Sequence, residues 1–332
     1  RGGQFEYALR TLNSLVAQRR NLLRPKFYAM ISDLLRFNAR AEDLADDPAM
    51  TIRDLLGELG TGDWFRDHYL LPFSGAIWST PTRDILDFPA AALVRFFRNH
   101  ALLGLRGQHK WHTVRGGSVE YVRRLEAVLA ERGVTVRTNT PIVSVRRMPV
   151  GVEVRADREG PDVFDEIVLA THADVSLKLL SDPSEAETRA LSGIRFQDNH
   201  AILHADPSVM PQRQACWSSW NYAGQGGERD PIGITYWMNS LQPIPKDDPL
   251  FVTLNATREI RDDLIYDATT FRHPMYDRAI FDAQARLREM NGKRHTWFCG
   301  AWMKYGFHED GCASGLEAAE AIVAQESLQV AA

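Results

Sequence analysis

The sequence is poor in cysteine and has no long apolar run. Its three cysteines, Cys216, Cys299 and Cys312, are odd in number, far apart and without the spacing of metal ligands. Such cysteine usage predicts a reducing compartment, here the cytoplasm, and excludes a disulfide framework. No stretch approaches the roughly 18 consecutive apolar residues that a membrane span requires. We therefore predict a soluble protein without transmembrane segments.

Several patterns of enzyme chemistry are also missing. The sequence contains no Gly-x-Ser-x-Gly elbow and no phosphate-binding Gly-Lys-Ser or Gly-Lys-Thr. His109 and His112 stand three residues apart, but no Cys, Asp or Glu lies at ligand spacing near them, so we predict no metal site. A net charge of −4 gives no support for nucleic acid as a partner.

What remains has the length and composition of an ordinary globular protein. The 332 residues, 44% of them hydrophobic and 25% charged, suffice for one large domain or two medium ones. Apolar residues at spacings of three and four predict two amphipathic helices within residues 6–45, separated near Pro25. Their stripes are predicted to face the protein's own core, although basic residues between the helices leave a peripheral membrane contact open.

Shorter helices are predicted after the N-terminal pair. They are a helix capped by Thr51 and Asp54, and helices near residues 64–70 and 89–105. Residues 71–81, which include Trp78, are apolar, aromatic and rich in turn formers. This stretch is predicted to be an ordered loop or a short helix that either lines a pocket or packs on the core.

Residues 113–172 have the clearest local pattern. Gly116 and Gly117 precede Ser118, a favourable N-cap, and a helix that closes at Gly133. A helix start of this kind lets the backbone approach a ligand, while a structural segment without any ligand is the alternative. The strands predicted here cover residues 134–138, 142–147, 150–156 and 167–170.

The next hundred residues lean towards β-structure and concentrate aromatic side chains. Such clusters form core more often than a platform for a ligand. An apolar stripe from Ile280 to Met290 then predicts a helix that leads into the last stretch of the chain.

Residues 296–322 hold the most distinctive pattern. An apolar run ends at Gly300, which predicts a buried strand followed by a sharp turn. A helix is predicted to begin among the small residues from Cys312 to Gly315, so that its first amides face a polarised ligand. Glu309 and Asp310 would repel a phosphate, so a ring edge or sugar is expected there. The alternative is a turn that only permits close packing.

These stretches resemble the superfamily of FAD-dependent amine oxidases and phytoene desaturases, most of all a bacterial branch of predicted NAD/FAD-binding oxidoreductases. Gly306 to Gly311, followed by Ser314 and Gly315, resemble the glycine-rich turn under the isoalloxazine. Ala301 stands where the family usually has an acidic residue that bonds the ribityl chain. The other matching positions, in the family's order, are Gly116, Gly117, Val143 and residues 165–171.

The resemblance implies an α/β fold in which a Rossmann-like FAD-binding domain is interleaved with an α+β substrate domain. The FAD-binding domain would comprise residues 113–182 and 286–332. The substrate domain would comprise a mainly helical part, residues 1–112, and a β-rich part, residues 183–285. Nothing matches the GxGxxG turn that opens the superfamily's sequences. We therefore expect a fragment that lacks its N-terminal βαβ unit and holds FAD weakly or not at all by itself.

The resemblance also implies the function, an FAD-dependent oxidoreductase in which a small molecule gives a hydride to flavin N5. The richness in aliphatic and aromatic residues favours an apolar substrate, such as an acyl lipid or isoprenoid, over a small charged amine. Two alternatives stay open. One is a flavin-dependent isomerase or mutase without net redox change. The other is a non-catalytic module that binds a lipid or a partner, which the absence of an acidic residue at Ala301 favours.

The resemblance further implies which residues form the site. Amides of Gly311 and Cys312 would stabilise reduced flavin near N1 and O2. Trp302, Tyr305 and His308 would line a wall beside the flavin, with Trp78 as a further member. His308 alone among them exchanges protons near neutral pH, so it is the candidate catalytic acid or base, or else a support that bonds backbone. The residues predicted to contact the cofactor are Gly116, Gly117, Ser118, Val143, Thr171, Gly300, Ala301, Gly306, His308, Glu309, Gly311 and Cys312.

Overall fold

The structure is a computed structural model that describes residues 4–47, 49–78, 85–104, 110, 112–224 and 233–331. His109 of the histidine pair and the end of the 71–81 stretch lie outside the described residues, as does the side chain of Trp78. Among the residues that are described, no helix is both long and apolar enough to cross a membrane.

Helices dominate the first third of the chain and its end. The α-helices are α1 (Leu12–Leu15), α2 (Pro25–Leu44), α3 (Ile52–Leu59), α4 (Asp63–Phe65), α5 (Leu71–Trp78), α6 (Ala90–Asn99), α7 (Val119–Glu131), α8 (Ala173–Leu179), α9 (Glu185–Ser192), α10 (Met238–Leu241), α11 (Arg278–Met290) and α12 (His308–Ala331). A π-helical turn, Arg66–Leu70, joins α4 to α5. The 3₁₀ turns are Arg19–Leu23, Pro207–Val209, Gln214–Cys216, Asp262–Leu264, Lys293–His295 and Ala301–Met303.

The caps of α3 and the start of α2 confirm two predictions. Thr51 and Asp54 form a capping box, in which each side chain accepts the backbone N–H of the other residue. Gly60 ends the helix in the left-handed conformation. Pro25 occupies the first position of α2, where its missing N–H would have no helical partner.

The helix predicted before Pro25 is wrong in extent. Only α1 and the 3₁₀ turn Arg19–Leu23 form there. The Asn21 side-chain amide donates to the carbonyl of Glu6 at 3.0 Å, and the N–H of Glu6 donates to Gln18 Oε1 at 3.0 Å. Such side-chain bonds to the backbone compete with a continuous helix.

In the described part of the chain the strands form three sheets. They are β1 (Ile142–Arg147), β2 (Val152–Ala156), β3 (Pro161–Phe164), β4 (Ile167–Leu169), β5 (Phe196–His204), β6 (Trp220–Tyr222), β7 (Ile234–Trp237), β8 (Phe251–Leu254), β9 (Ile265–Pro274) and β10 (Thr296–Phe298). Strands β1, β2 and β3 make an antiparallel sheet, β4 and β10 a parallel pair, and the largest sheet has the order β6-β7-β8-β5-β9.

The largest sheet buries apolar side chains on both faces. Along a strand, alternate residues point to opposite faces. Ile234 and Leu254 pack with Ala76 in one cluster, whereas Trp237 and Phe251 belong to another. The predicted β-leaning character of this part of the chain is thus explained by a sheet with two covered faces.

The strand predicted at residues 134–138 is wrong. In the described part of the chain these residues pair with no strand, and Val134 and Val136 are 48% and 56% exposed. Valine favours extended backbone, but a strand exists only where a neighbour satisfies its N–H and C=O groups. The valines therefore indicate a preference for extended backbone, but no described strand pairs with this segment.

Contacts divide the chain into two compact units, each built from two stretches. One unit comprises residues 1–128 and 197–273, and the other comprises residues 129–196 and 274–332. The predicted mixture of helices and open sheets, interleaved along the sequence, agrees with this division. The domain boundaries expected at residues 112, 182 and 285 stay a prediction, because they concern cofactor and substrate parts.

A buried arginine holds the second unit together. The Arg147 side chain is 1% exposed, and its guanidinium donates to Asp182 Oδ1 at 2.8 Å and to Glu187 Oε1 at 2.9 Å. Burial acts to raise the pKa of Glu187, but hydrogen bonds from Arg147 and Ser184 outweigh it, so the pKa lies below its ordinary value. Arg147 thus joins β1 to the start of α9.

Candidate functional site

The site is built at one edge of the β4–β10 pair. The two strands run parallel, with Phe298 opposite Leu169, so their carboxyl ends meet at the same edge. The N–H of Cys299 continues the ladder by donating to the carbonyl of Leu169 at 3.2 Å. Thr171 and Gly300 therefore follow the two strands side by side. In open parallel sheets ligands bind at this edge.

A tryptophan closes the turn after β10. The Trp302 Nε1–H donates to the carbonyl of Thr171 at 3.0 Å, which ties the ends of the two strands together. The ring lies against Gly300, whose φ is 142° and where a Cβ would come within 2.7 Å of Trp302 Nε1. Only glycine fits there. Trp302 is 3% exposed and thus supports the turn from inside the protein. Its predicted place in a wall beside the flavin stays a prediction.

A serine joins the turn to the last helix. Ser314 Oγ accepts the N–H of Gly300 at 2.9 Å and lies 3.0 Å from the carbonyl of Gly311. The side chain of Ser314 is buried, so this bridge is shielded from water. The sequence places Ser314 in the glycine-rich motif, but it does not predict that Ser314 anchors the turn to the helix.

Helix α11 supports the turn from a second direction. The side-chain amide of Gln284 donates to the carbonyls of Trp302 at 2.8 Å and Lys304 at 2.6 Å. Arg288 donates to the carbonyl of Met303 at 2.8 Å. Sequence analysis missed both residues. The signal available was a polar Gln284 within the buried apolar stripe of the helix, next to Ala283.

The last helix begins four residues earlier than predicted. α12 starts at His308, because Asp310 accepts the N–H groups of Tyr305 at 3.3 Å and Phe307 at 3.0 Å and so fixes its entry. Glu309 and Asp310 consequently lie inside the first turn rather than before it. Their negative charge is favourable at the positive end of the helix dipole.

This start corrects the predicted role of the Gly311 amide. Its N–H already donates to the carbonyl of Phe307 at 3.1 Å, so it is not free to bond a ligand. Cys312 likewise lies within the helix. The first N–H groups of an α-helix lack an intrahelical acceptor, and here these belong to His308, Glu309 and Asp310.

Two glycines on one face of α12 are not required by the packing of the chain. Gly311 and Gly315 are four residues apart and therefore share a face. A Cβ at Gly311 would make an ordinary contact, 3.6 Å from the backbone nitrogen of Ala301, and one at Gly315 would meet nothing within 4 Å outside its own helix. Each glycine costs about 1 kcal/mol relative to alanine in a helix. Their presence fits the close approach of a ligand.

The remaining residues predicted near this turn differ in exposure. His308, Glu309 and Cys312 are exposed, whereas Ala301 and Tyr305 are half-buried. The Tyr305 ring contacts that of Phe281 with centroids 6.3 Å apart. The structure thus gathers ten predicted residues at this edge, namely Thr171, Gly300, Ala301, Trp302, Tyr305, Gly306, His308, Glu309, Gly311 and Cys312.

The other predicted residues lie elsewhere. Gly116 and Gly117 belong to the first unit and precede α7, with φ values of 86° and 87° that favour glycine at both positions. Ser118 is exposed at the start of that helix. Val143 lies in β1, at an irregularity of the pairing with β2, and is 51% exposed. A bulge leaves backbone groups unpaired.

Residues 8–228 match the model of a protein family described as flavin containing amine oxidoreductase. A sequence search among curated proteins finds no match.

Solved structures give the fold. The A394C mutant of putrescine oxidase superposes with a TM-score of 0.63 and 13% identity, over 91% of this chain and 77% of that one. Cyclohexylamine oxidase from Brevibacterium oxydans IH-35A gives 0.62 and 13%, over 91% and 76%. The CLA-producing fatty acid isomerase from P. acnes gives 0.54 and 12%, over 94% and 78%. At these identities the similarity shows the fold alone, and it confirms the predicted α/β architecture.

Proposed function

The chain belongs to the family of flavin containing amine oxidoreductases, and on this premise we propose that it is an oxidoreductase acting on a small apolar or amine-bearing molecule. Its cofactor is FAD. One observation carries the proposal. The carboxyl edge of β4 and β10 faces a helix whose Gly311 and Gly315 leave space that no described side chain occupies.

The residues at this edge fit a flavin. When bound, FAD supplies the hydride acceptor that no side chain provides. The backbone of Gly300 and Ala301 and the first amides of α12 would hold the polar edge of its ring or its sugar. Gly311 and Gly315 let the cofactor approach the helix closely. Gly116, Gly117 and Val143 would serve the dinucleotide half, as the resemblance implies.

The turn is prepared for this role before any ligand arrives. Hydrogen bonds from Gln284 and Arg288 fix its carbonyls, Trp302 ties it to the carbonyl of Thr171, and Ser314 fixes its distance from α12. Donors and shape that are fixed in advance need no reorganisation when charge develops on the ligand. We therefore assign these four side chains to the support of the cofactor site.

We assign the transfer of a substrate proton to His308. It is exposed at the first residue of α12, and histidine is the side chain that most often serves in general acid–base catalysis. In His308→Ala we expect anaerobic reduction of the flavin by substrate to slow about 100-fold, because general acid–base catalysis contributes at least that much. Flavin content should not change. Glu320→Gln, at an exposed position of the same helix, serves as the control. A normal reduction rate in His308→Ala would remove His308 from the mechanism.

A second candidate function is isomerisation without net redox change. The similarity in fold to a fatty acid isomerase and to a UDP-galactopyranose mutase favours it. It shares the cofactor site described above and differs in the fate of the electrons. Turnover without consumption of oxygen or of another acceptor would identify it.

The visible absorption spectrum of the protein in its full natural length tests the proposal. We expect the bands of an oxidised flavin, and release of FAD on denaturation. Anaerobic bleaching by a panel of acyl lipids, isoprenoids and amines would then identify the substrate class. A colourless, well-folded protein that cannot be reconstituted with FAD would contradict the proposal and leave a module that binds a lipid or a partner.

A further inference from the structure

The hydroxyl of Tyr276 is buried without a partner. Tyr276 lies between β9 and α11, and 3% of its surface is exposed. Within the part of the chain that the structure describes, its oxygen has no hydrogen-bond partner. An unpaired polar group in the interior destabilises a folded protein. A hydroxyl at this position is therefore expected to form a hydrogen bond in another state of the protein.

This hydroxyl lies directly beneath the turn that leads into α12. A Cβ at Gly306 would come within 2.6 Å of the Tyr276 oxygen. Gly306 itself is exposed and has a φ of 93°. The backbone of a single glycine therefore separates the hydroxyl from the surface at the cofactor site. Because the residue is glycine, it adds no side chain to this cover.

The surroundings keep the hydroxyl a donor. Asp310, which accepts the N–H groups of Tyr305 and Phe307, also lies near Tyr276. Burial and, to a smaller extent, the Asp310 carboxylate raise the pKa of Tyr276. The side chain is therefore neutral and protonated throughout the physiological range. It can offer its hydrogen to an acceptor.

We propose that the Tyr276 hydroxyl donates a hydrogen bond to an oxygen atom of the bound flavin across the Gly306 turn. Tyr276 is then a positioning residue of the cofactor site. This inference rests on the proposed function, which supplies the flavin. The charges of Glu309 and Asp310 disfavour a phosphate at the start of α12. The acceptor is therefore a ring carbonyl or a ribityl oxygen.

The test is Tyr276→Phe in the full natural protein, with two measurements. One is the melting temperature of the flavin-free protein, and the other is the dissociation constant for FAD from the quenching of flavin fluorescence. We expect the melting temperature to equal or exceed that of the wild type, because the substitution removes an unpaired group. The dissociation constant should rise roughly 3- to 10-fold, the range expected for loss of one hydrogen bond.

Tyr7→Phe is the matched control. Tyr7 is also a tyrosine, but its hydroxyl donates to the carbonyl of His68 at 2.7 Å, and it belongs to the other unit. Removal of this satisfied hydroxyl should lower the melting temperature and leave the dissociation constant for FAD unchanged. Tyr276→Phe should therefore weaken FAD binding without lowering the melting temperature. Tyr7→Phe should lower the melting temperature without weakening FAD binding.

Two results would overturn the inference. A lower melting temperature in Tyr276→Phe would show that the hydroxyl has a partner within the folded protein. An unchanged dissociation constant would show that it does not reach the flavin. Both leave the proposed function standing. If the wild-type protein takes up no FAD at all, the proposed function fails first and this inference fails with it.

Discussion

A Gly311→Leu protein is expected to fold and to lose its flavin. A Cβ at this position would make only ordinary contacts with Ala301, the shortest at 3.6 Å, so the protein accepts a Cβ here. Leucine is also the better helix former by nearly 1 kcal/mol. In the cofactor site, however, the leucine would occupy the space of the ring. Overpacking of about 3 kcal/mol weakens FAD binding about 100-fold.

The measurement is the flavin content per protein after purification, together with the melting temperature of the flavin-free form. Gly57→Leu is the matched control, because Gly57 too is a glycine inside a helix. Its Cβ position has nothing within 4 Å. Both variants should melt no lower than the wild type. A folded Gly311→Leu protein that keeps its flavin would contradict the assignment of this helix face.

The second large effect is expected on stability, in Arg147→Ala. This substitution removes the buried partner that Asp182 and Glu187 share and leaves them with Arg294, whose side chain is 44% exposed. The Glu187 side chain is 8% exposed. Removal of one member of a buried ion pair costs about 3–5 kcal/mol. Because the pKa of Glu187 is lowered, the contribution of the pair is present above the ordinary glutamate pKa and is lost as the pH falls through the lowered value. The free energy of unfolding should therefore be compared in urea near neutral pH.

The adjacent Arg146 provides the control for this experiment. Its side chain is 58% exposed and pairs with Glu153 at 2.8 Å. Exposed ion pairs contribute about 0–1 kcal/mol. Arg146→Ala should thus change the free energy of unfolding little. Equal losses in the two variants would show that the burial of Arg147 does not decide its contribution.

The parts of the fold that sequence analysis predicted are those that local interactions determine. The capping box at Thr51 is made by residues three apart, and Pro25 sets the start of α2 by its own geometry. Strand β1 was predicted with the bounds that the structure shows. The segment at residues 134–138 failed because pairing is a tertiary property that a run of valines cannot reveal.

The same distinction applies to the candidate site. Gly300 was predicted because a glycine after an apolar run indicates a turn whatever lies around it. Gln284 and Tyr276 were missed because their roles depend on which backbone groups lie opposite them in space. The predicted start of α12 is wrong by four residues. Small side chains do not mark a helix start by themselves, whereas the bond from the Phe307 N–H to Asp310 does.

The pairing of β4 with β10 has a consequence for the order in which the protein is made. The residues of the two strands are about 130 positions apart in the sequence, as the bond between Glu166 and Trp297 illustrates. At a translation rate of about 5–20 residues per second, β4 waits roughly 6–26 s for its partner to be synthesised. During that time its edge is unpaired and open to chaperones or to other nascent chains. The candidate site at the carboxyl ends of β4 and β10 is thus complete only after Phe298 has been synthesised.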